Sequence, residues 1–581
     1  FSMNYLKLRP NTDIGAFESR VEDLVQKNYS DPTIVAAIKA LPFADIRIES
    51  IPVVETIING CIAASVFILL IVLINLLNLN ASTMYRRTKD IAVRKILGGS
   101  KKDIIIQFCM ENGILVFASI SISALLFLGF LLPKLNSIYG ADFGKISFSI
   151  EKDYPVILFV MALGLLVTLI VGILPTLRFI SIPISKGIKG KINAIKSNFL
   201  VRNSFIVLQF SIAILFICIA IILNSQIGFM KNAPLGFSKE NVLVGNINLE
   251  FKNKETASSN FNALLDKLEA NSYVKNVSVS DGIPSDYNFN YTQLYDPETD
   301  NEVRMRYARS DQDYLKTFEI PLVMGRDFDK NLDQADDYPV LINRTAMKAL
   351  GWDAIEGKQL KAKGSTSSSY PIVGVMEDFH FQDMQNAVEP LVHFYRDKKD
   401  LAYPHFLSVK VEVGHEKTVE ELIVNGFGTI ESRRTYEQEF LTDKVSAQYH
   451  LIEGMLKTVN VVALLTIFIS CLGMFGLISF MAKRRVKEIG IRKVLGSGVL
   501  KIIILLSKDY ILLVGIAAIL AIPIAWYVMN AWLSGFAHSI TIQWWMFAIG
   551  GLMALLITSF TVGLQAVRSA IANPTKSLKT D

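Results

Sequence analysis

Two stretches of the sequence repeat the same order of charged residues. RRTKDIAVRKILG at 86–98 returns 398 positions later as RRVKEIGIRKVLG at 484–496, with eight of thirteen positions identical. Cations around a single carboxylate could bind lipid phosphates or the charged surface of a protein partner. The residues that could carry this chemistry are Arg86, Arg87, Lys89, Asp90, Arg94, Lys95 and Gly98 in the first copy, and Arg484, Arg485, Lys487, Glu488, Gly490, Arg492, Lys493 and Gly496 in the second.

The first copy has the pattern of a short amphipathic helix. Val93, Ile96 and Leu97 fall on one helical face, and Gly98 supplies a C-terminal stop. The segment SKKD at 100–103 then resembles a capping box for the next helix. Anchoring at a membrane needs positive charge near helix ends but no particular residue order. The copied order therefore favours a docking face for a protein over anchoring alone.

Apolar runs dominate the 581-residue chain, in which 51% of residues are hydrophobic and the mean hydropathy is +0.37. About 20 apolar residues cross a bilayer as a helix. The composition therefore predicts a polytopic α-helical membrane protein. Seven runs approach or exceed the required length, at 57–80, 104–132, 155–177, 204–224, 459–481, 502–528 and 546–566.

Positive charge is concentrated beside the ends of these runs. The net charge is +6, and the clusters of Lys and Arg lie at 84–102, 178–202 and 483–501. Because cytoplasmic loops retain Lys and Arg, the predicted topology places all three clusters inside and residue 1 outside. Charge arranged in this way indicates membrane topology, and no nucleic-acid partner is expected.

The polar region between the fourth and fifth runs predicts a large α+β extracytoplasmic domain at 226–455. Short β-branched runs such as YPIVGVM alternate there with helical stretches such as NFNALLDKLE. The charged segment 432–458 is expected to extend the helix of the fifth span beyond the membrane.

The repeat divides the chain into two halves, each with the order span, outer domain, span, basic loop, span, span. The first half lacks an opening span and most of an outer domain, so we expect eight spans in a full chain and seven here. The predicted boundaries are 1–50 for the end of a first outer domain, 51–202 for a first membrane domain with its basic loop at 84–103, 203–225 for the span that opens the second half, 226–455 for the second outer domain, and 456–581 for a second membrane domain with its basic loop at 482–501.

Four polar residues lie inside the predicted spans. Glu111 and Asp509 are one repeat apart, and Asn75 and Asn78 share a helix face. Intramembrane carboxylates suggest function by default, but these two lie roughly 10 Å from the cytoplasmic end. They could instead hold neighbouring helices together or face headgroups, and we favour that structural role. For the two asparagines we expect hydrogen bonds between helices.

Two kinds of chemistry are missing from the sequence. No G-x-x-x-x-G-K-[ST] phosphate loop occurs, so ATP hydrolysis is expected in another chain. His380 beside Glu377 and Asp378 is the cluster most like a metal site, but no second His has zincin spacing, and we interpret it as strand and turn structure. The sequence therefore predicts no catalytic residue, no metal and no cofactor bound by this chain.

Several segments together resemble one family over essentially the whole chain. KRRVKEIGIRKVLGSG, CLGMFGLISF, PIAWYVMNAWLSGF and the closing NPTKSLK resemble the permease subunits of MacB-type and FtsX-like ABC transporters. The form they resemble is the fused, duplicated one of Bacteroidetes-type bacteria. YLKTFEIPLVMGRDF and PIVGVMEDFHF resemble the periplasmic domain of that family.

This resemblance implies a bacterial inner-membrane protein whose large domain lies in the periplasm. Each basic loop would be a coupling helix on a separate, dimeric ABC ATPase that uses ATP and Mg²⁺ and moves the outer domain by mechanotransmission. Besides the lipid bilayer, a periplasmic adaptor and an outer-membrane channel are possible partners. Asp90 and Ala92 replace the usual Glu and Gly, which would make coupling by the first half weaker or different in shape.

Three functions remain open on these grounds. The first is export or envelope transport in the efflux, antimicrobial-peptide or lipoprotein class. The second is a non-transporting, permease-like regulator that activates an envelope enzyme or sensor. The third, a secondary transporter, is disfavoured by the parallel repeat and the paired basic loops.

Overall fold

The protein is described by a computed structural model that covers residues 6–9, 12–28, 52–180, 197–247, 254–286, 289–333, 338–362, 369–400, 406–430, 436–484 and 498–571. We call residues 233–449 the outer domain. Outside it the helices are α1 (Ile14–Asn28), α2 (Pro52–Arg86), α3 (Thr88–Ile96), α4 (Lys101–Leu126), α5 (Leu132–Phe143), α6 (Tyr154–Ile180), α7 (Ser197–Asn232), α13 (His450–Arg484), α14 (Val499–Leu533) and α15 (Trp544–Ile571).

Seven helical segments within these described ranges are long and apolar enough to cross a membrane, which confirms the predicted spans. The second span is lengthened most relative to its prediction, because it continues to Gly140. A π-helical segment, Phe127–Leu131, joins α4 to α5. Pro133 lies in the first turn of α5, where a missing N–H donor costs little. The seven spans are Ile57–Asn80, Lys101–Gly140, Tyr154–Leu177, Asn203–Asn232, His450–Gly476, Ser507–Leu533 and Trp544–Leu564.

The span α7 is the most buried of the seven, with 67% of its apolar window inside the protein. It packs against α13, α14 and α15. The α14 side of the shared core includes Ala517, Ala521 and Ala525. Small residues at intervals of four let helix backbones approach closely inside a membrane. The four helices of the second half therefore form one packed body.

The outer domain is built on one sheet with two different parts. Four strands, in the order β11, β1, β10 and β2, form an open antiparallel sheet. Six further strands close into a ring, in the order β4, β3, β7, β8, β6 and β9, with β9 parallel to β4. The strands are β1 (Val242–Asn246), β2 (Val274–Ser280), β3 (Asn290–Tyr295), β4 (Glu302–Ser310), β5 (Leu322–Gly325), β6 (Val340–Asn343), β7 (Gln359–Ala362), β8 (Ser369–Met376), β9 (Leu391–Tyr395), β10 (Phe406–Val411) and β11 (Glu437–Phe440).

Each part of the sheet has its own apolar core. The core of the open sheet includes Phe261 and Phe427, from the two longer helices of the domain. The core of the ring includes Trp352, whose indole N–H donates to Asp296 at 2.9 Å. The helices of the domain are α8 (Lys254–Glu269), α9 (Tyr314–Phe318), α10 (Arg344–Leu350), α11 (Glu416–Gly428) and α12 (Leu441–Ala447). The predicted α+β class is confirmed.

The segment 432–458 differs from its prediction as a continuous helix. Residues 437–440 form the edge strand β11, and α12 follows it directly. The long helix α13 begins only at His450. The backbone of β11 pairs with β1, and Leu441 and Val445 of α12 are buried in the domain core. Tertiary pairing therefore overrides the helical pattern in this segment.

Candidate functional site

The first basic stretch forms a compact turn between two spans. Arg87 separates α2 from the nine-residue helix α3. Gly98 follows with φ +88°, a left-handed conformation that glycine adopts without a Cβ penalty. Ser100 and Asp103 form a reciprocal capping box at the start of α4, with the Ser100 hydroxyl 2.6 Å from the Asp103 carboxylate. The predicted helix, stop and capping box are all confirmed.

The helix α3 has one buried side and one exposed apolar side. Ile91 lies in a small core with Met84, Ile104, Phe108 and Ile180, which come from α2, α4 and α6. In contrast, the exposed fractions are 50% for Val93, 57% for Ile96 and 80% for Leu97. Three apolar side chains at the end of a charged helix would be covered by a partner more favourably than by water. We call these three residues the apolar tip.

Charged side chains of the turn are bonded to the next span. The Arg87 guanidinium lies 2.7 Å from the Glu111 carboxylate, and Gln107 donates to the other Glu111 oxygen at 3.0 Å. Arg94 donates to the Gln107 side-chain oxygen. The result is a chain of polar contacts from α3 to the first three turns of α4. Glu111 thus bonds a neighbouring element, as in the structural role that was favoured over a functional one.

Lys95 turns toward the protein rather than toward solvent. Its ammonium donates to the backbone carbonyl of Ile180, the last residue of α6. Burial lowers the pKa of the Lys95 ammonium, and the nearby Lys101 lowers it further. A cation at the C-terminal end of a helix satisfies an unpaired carbonyl and complements the helix dipole. Lys95 therefore links α3 to α6.

The structure describes the other predicted loop residues to different extents. Asp90 is exposed on α3, and the buried Ala92 lies on its inner side. The backbones of Arg86, Lys89 and Arg484 belong to α2, α3 and α13, but the structure does not describe their side chains. The rest of the second copy lies outside the described residues, namely Arg485, Lys487, Glu488, Gly490, Arg492, Lys493 and Gly496.

The intramembrane polar residues are in different surroundings. The amide of Asn75 donates to the Ile469 carbonyl of α13 at 2.8 Å, so this side chain bridges the two halves. A Cβ at Gly473 would lie 1.9 Å from the Asn75 oxygen, which shows how closely the helices approach. Asn78 is half-buried on α2, and Asp509 is exposed on α14.

Sequence reasoning missed a second polar contact in the membrane. The Asn80 side-chain amide donates to the Asn112 side-chain oxygen at 2.9 Å and joins α2 to α4. Asn112 is buried and also bonds the Phe108 carbonyl one turn back. The only available signal was an amide residue near the end of each apolar run, which does not identify a partner 32 positions away.

The predicted cluster around His380 lies in the loop after β8. Asp378 accepts hydrogen bonds from the backbone N–H and the hydroxyl of Thr345, at 2.9 and 2.8 Å. Arg344 pairs with Glu377 at 2.7 Å. Within the part of the chain that the structure describes, no three His, Cys, Asp or Glu side chains are grouped to hold a metal ion. The acids of this cluster serve as caps and ion-pair partners.

Two family models match the chain, and they match different parts of it. The FtsX-like permease C-terminal domain matches residues 62–184 and again 460–574. The MacB-like periplasmic core domain matches residues 210–422. No match was found among curated proteins. The duplication detected in the basic loops thus extends to the two membrane domains.

Solved structures of similar domains share low identity with this chain. The periplasmic region of MacB from Actinobacillus actinomycetemcomitans is 13% identical with a TM-score of 0.25, and the match covers 36% of this chain and 93% of that one. The extracellular domain of the noncanonic ABC-type transporter YknZ from Gram-positive bacteria is 12% identical with a TM-score of 0.23, covering 34% and 99%. The family of this chain is shown by the two family models.

The seven spans, the duplicated membrane domain and the outer domain define a multi-pass permease of the transporter type. It lies in the inner membrane, with the outer domain in the periplasm. The chain belongs to the FtsX-like permeases that carry a MacB-like periplasmic core domain. Because successive spans alternate sides, α3 lies on the cytoplasmic side. Members of this family work with a partner ATPase.

Proposed function

We propose that this chain is the membrane subunit of an ABC transporter in which a separate ATPase docks on α3 and on its copy in the second half. The observation that carries the proposal is the apolar tip, Val93, Ile96 and Leu97, exposed between charged residues on the cytoplasmic side. The partner, acting as a dimer, supplies the sites for ATP and Mg²⁺. This chain supplies the docking surface and no catalytic group.

The contacts of α3 would transmit movement of the ATPase to the membrane. The ion pair between Arg87 and Glu111 ties α3 to α4, and the bond from Lys95 to Ile180 ties it to α6. A force on the apolar tip therefore acts on two spans at once. On the opposite side, α7 leads into the outer domain and α13 leads out of it, so helix movement reaches the periplasm directly.

The outer domain is the part of this permease that would act in the periplasm. We propose that it changes conformation during ATP hydrolysis and acts on export or envelope transport, in the efflux, peptide or lipoprotein class. A periplasmic adaptor and an outer-membrane channel are the partners that suit an efflux role. Recovery of such partners with the intact chain would separate transport from activation of an envelope enzyme.

A charge placed on the apolar tip tests the docking proposal. Burying one Ile or Leu side chain contributes about 1.5–3 kcal/mol, so Ile96→Asp with Leu97→Asp should lower capture of the ATPase by about 100-fold or more. Tagged full-length chain in nanodiscs would capture the ATPase, identified by its phosphate-loop sequence. Ile150→Asp is the control, because Ile150 is 73% exposed on the periplasmic side. Equal capture by all three proteins would contradict docking at α3.

A scrambled loop separates docking from membrane anchoring. Residues 86–98 are reordered so that every Lys and Arg remains, which preserves the charge that sets topology. Docking predicts correct insertion with loss of ATPase capture, because the apolar tip and the bonded cations are dispersed. Anchoring predicts that the scrambled chain behaves like the parent. Normal capture by the scramble would overturn the docking proposal.

A further inference from the structure

The connection between α14 and α15, residues 534–543, is bonded to the outer domain. We call this connection the outer loop. The backbone N–H of Ala537 donates to the Gln385 carbonyl of the outer domain at 2.9 Å. Phe536 packs on the domain core that contains the buried Phe379 and Phe381. The loop thus has a polar contact at Gln385 and an apolar contact with this core.

A buried glutamine of α7 binds the same loop from the membrane side. Gln226 is fully buried, and its side-chain amide donates to the His538 carbonyl at 2.9 Å. Its side-chain oxygen accepts the backbone N–H of Ile540, also at 2.9 Å. One side chain therefore satisfies a backbone donor and a backbone acceptor of an irregular segment.

Two histidine rings meet where the outer loop touches the domain. The centroids of His380 and His538 are 5.0 Å apart, with the rings nearly perpendicular. Burial lowers the pKa of the His380 imidazole, and the neighbouring His538 lowers it further, whereas Asp378 and Asp383 raise it. A neutral ring is the form that packs in such a place.

The segment around His380 also contacts the chain that leaves α7. The His380 backbone N–H donates to the Leu235 carbonyl at 2.8 Å. Gly236, with φ +80°, passes so close that a Cβ there would lie 2.6 Å from the Asp378 carbonyl oxygen. Residues 378–385 therefore join the root of the outer domain to the outer loop.

We propose that the outer loop is a latch through which the outer domain moves α14 and α15. The loop is held by Gln226, Gln385 and the His380 ring, so it follows the domain when the domain tilts. Trp532, at the end of α14, contacts Phe536 with ring centroids 4.5 Å apart, which carries the motion into the span. These contacts lie within this chain and are independent of the ATPase proposal.

Hydrogen–deuterium exchange of the full chain in nanodiscs tests the latch. In the parent, the amides of Ala537 and Ile540 should exchange slowly although they lie in a loop. Gln226→Ala removes the acceptor of the Ile540 amide, and we expect exchange about tenfold faster at 536–540 and also at 380–386. The control is Asn224→Ala, two residues earlier on α7, which bonds Ala220 and Asn460 instead.

The latch requires that hydrogen–deuterium exchange becomes faster in both segments, 536–540 and 380–386. Faster exchange at 536–540 with unchanged exchange at 380–386 would overturn it, as would unprotected amides at 537 and 540 in the parent. His538→Ala is a second variant, which removes the ring contact and keeps Gln226. It should speed exchange in both segments by a smaller factor, and an effect on neither would also overturn the latch.

Discussion

The repeat-equivalent spans α4 and α14 share a sequence pattern but differ in burial. In α14, Leu513 is 8% exposed and Met529 is 2% exposed, because α7 covers that face. At the same 398-residue offset, Leu115 of α4 is 67% exposed and Leu131, just beyond its end, is 46% exposed. Within the described residues, the two spans therefore differ in the helices that cover them. The helix α7 makes the second half a packed body.

The small residues on these two helix faces also differ in burial. Ala517, Ala521 and Ala525 of α14 are buried, and the Ser211 hydroxyl of α7 donates to the Ala517 carbonyl at 3.1 Å. The equivalent positions of the first two in α4 are Ser119 and Ser123, which are exposed. A face of small residues indicates a helix contact only where it is buried. The presence of small residues in the sequence is not sufficient.

The largest expected effect is from enlarging a small residue on the covered face. Ala521→Leu would force α7 and α14 apart, and overpacking of this kind costs about 1–3 kcal/mol. Its repeat equivalent, Ser123→Leu, should change stability by less than about 0.5 kcal/mol, because the side chain is exposed. SDS-induced unfolding of the purified variants measures both. Similar losses for the two variants would contradict the difference between the halves.

A smaller effect is expected where the two halves meet at equivalent positions, Asn75 and Gly473. Gly473→Ala would drive a Cβ into the Asn75 side chain and break its bond to Ile469, at a cost of about 1–2 kcal/mol. Combining it with Asn75→Ala should recover part of the loss. The control, Gly551→Ala, has open space around its Cβ. If Gly473→Ala unfolds in SDS like the parent, the halves do not meet there.

The smallest effect is expected for the carboxylates at equivalent positions of α4 and α14. The side chains of Arg87 and Glu111 are 43% and 42% exposed, so Glu111→Gln should cost less than about 1 kcal/mol. Asp509→Asn serves as its repeat-matched comparison. The same unfolding assay applies, read at low and high salt because exposed pairs are screened. A salt-independent loss above about 2 kcal/mol would show that the Glu111 pair is buried.

Local features of this fold could be predicted from sequence because they depend on nearby residues. Span length follows from apolar runs, and the conformations of Gly98 and Ser100 follow from capping rules. The contact of Asn75 with Ile469, 394 positions away, has no local signal. The same holds for the outer loop and its contact at Gln385. At 437–440 the helical pattern was outweighed by the pairing of β11 with β1.

The apolar tip shows the same limit of sequence-based prediction within the proposed docking surface. Its residues were expected on one helical face, and the structure exposes them as that pattern predicts. Which cations lie inward was not predictable, because it depends on the end of α6. Lys95 bonds the Ile180 carbonyl there, 85 positions along the chain. The order of residues along α3 does not specify which of its cations makes this contact.

The ring of the outer domain has a consequence for biogenesis. Its closure needs β9, Leu391–Tyr395, to pair with β4, Glu302–Ser310, so the ring stays open until roughly three quarters of the domain has crossed the membrane. During that interval one edge of β4 offers unpaired backbone groups to any extended chain nearby. Contacts so distant in sequence also form slowly. This edge of β4 is therefore open to periplasmic chaperones until β9 pairs with it.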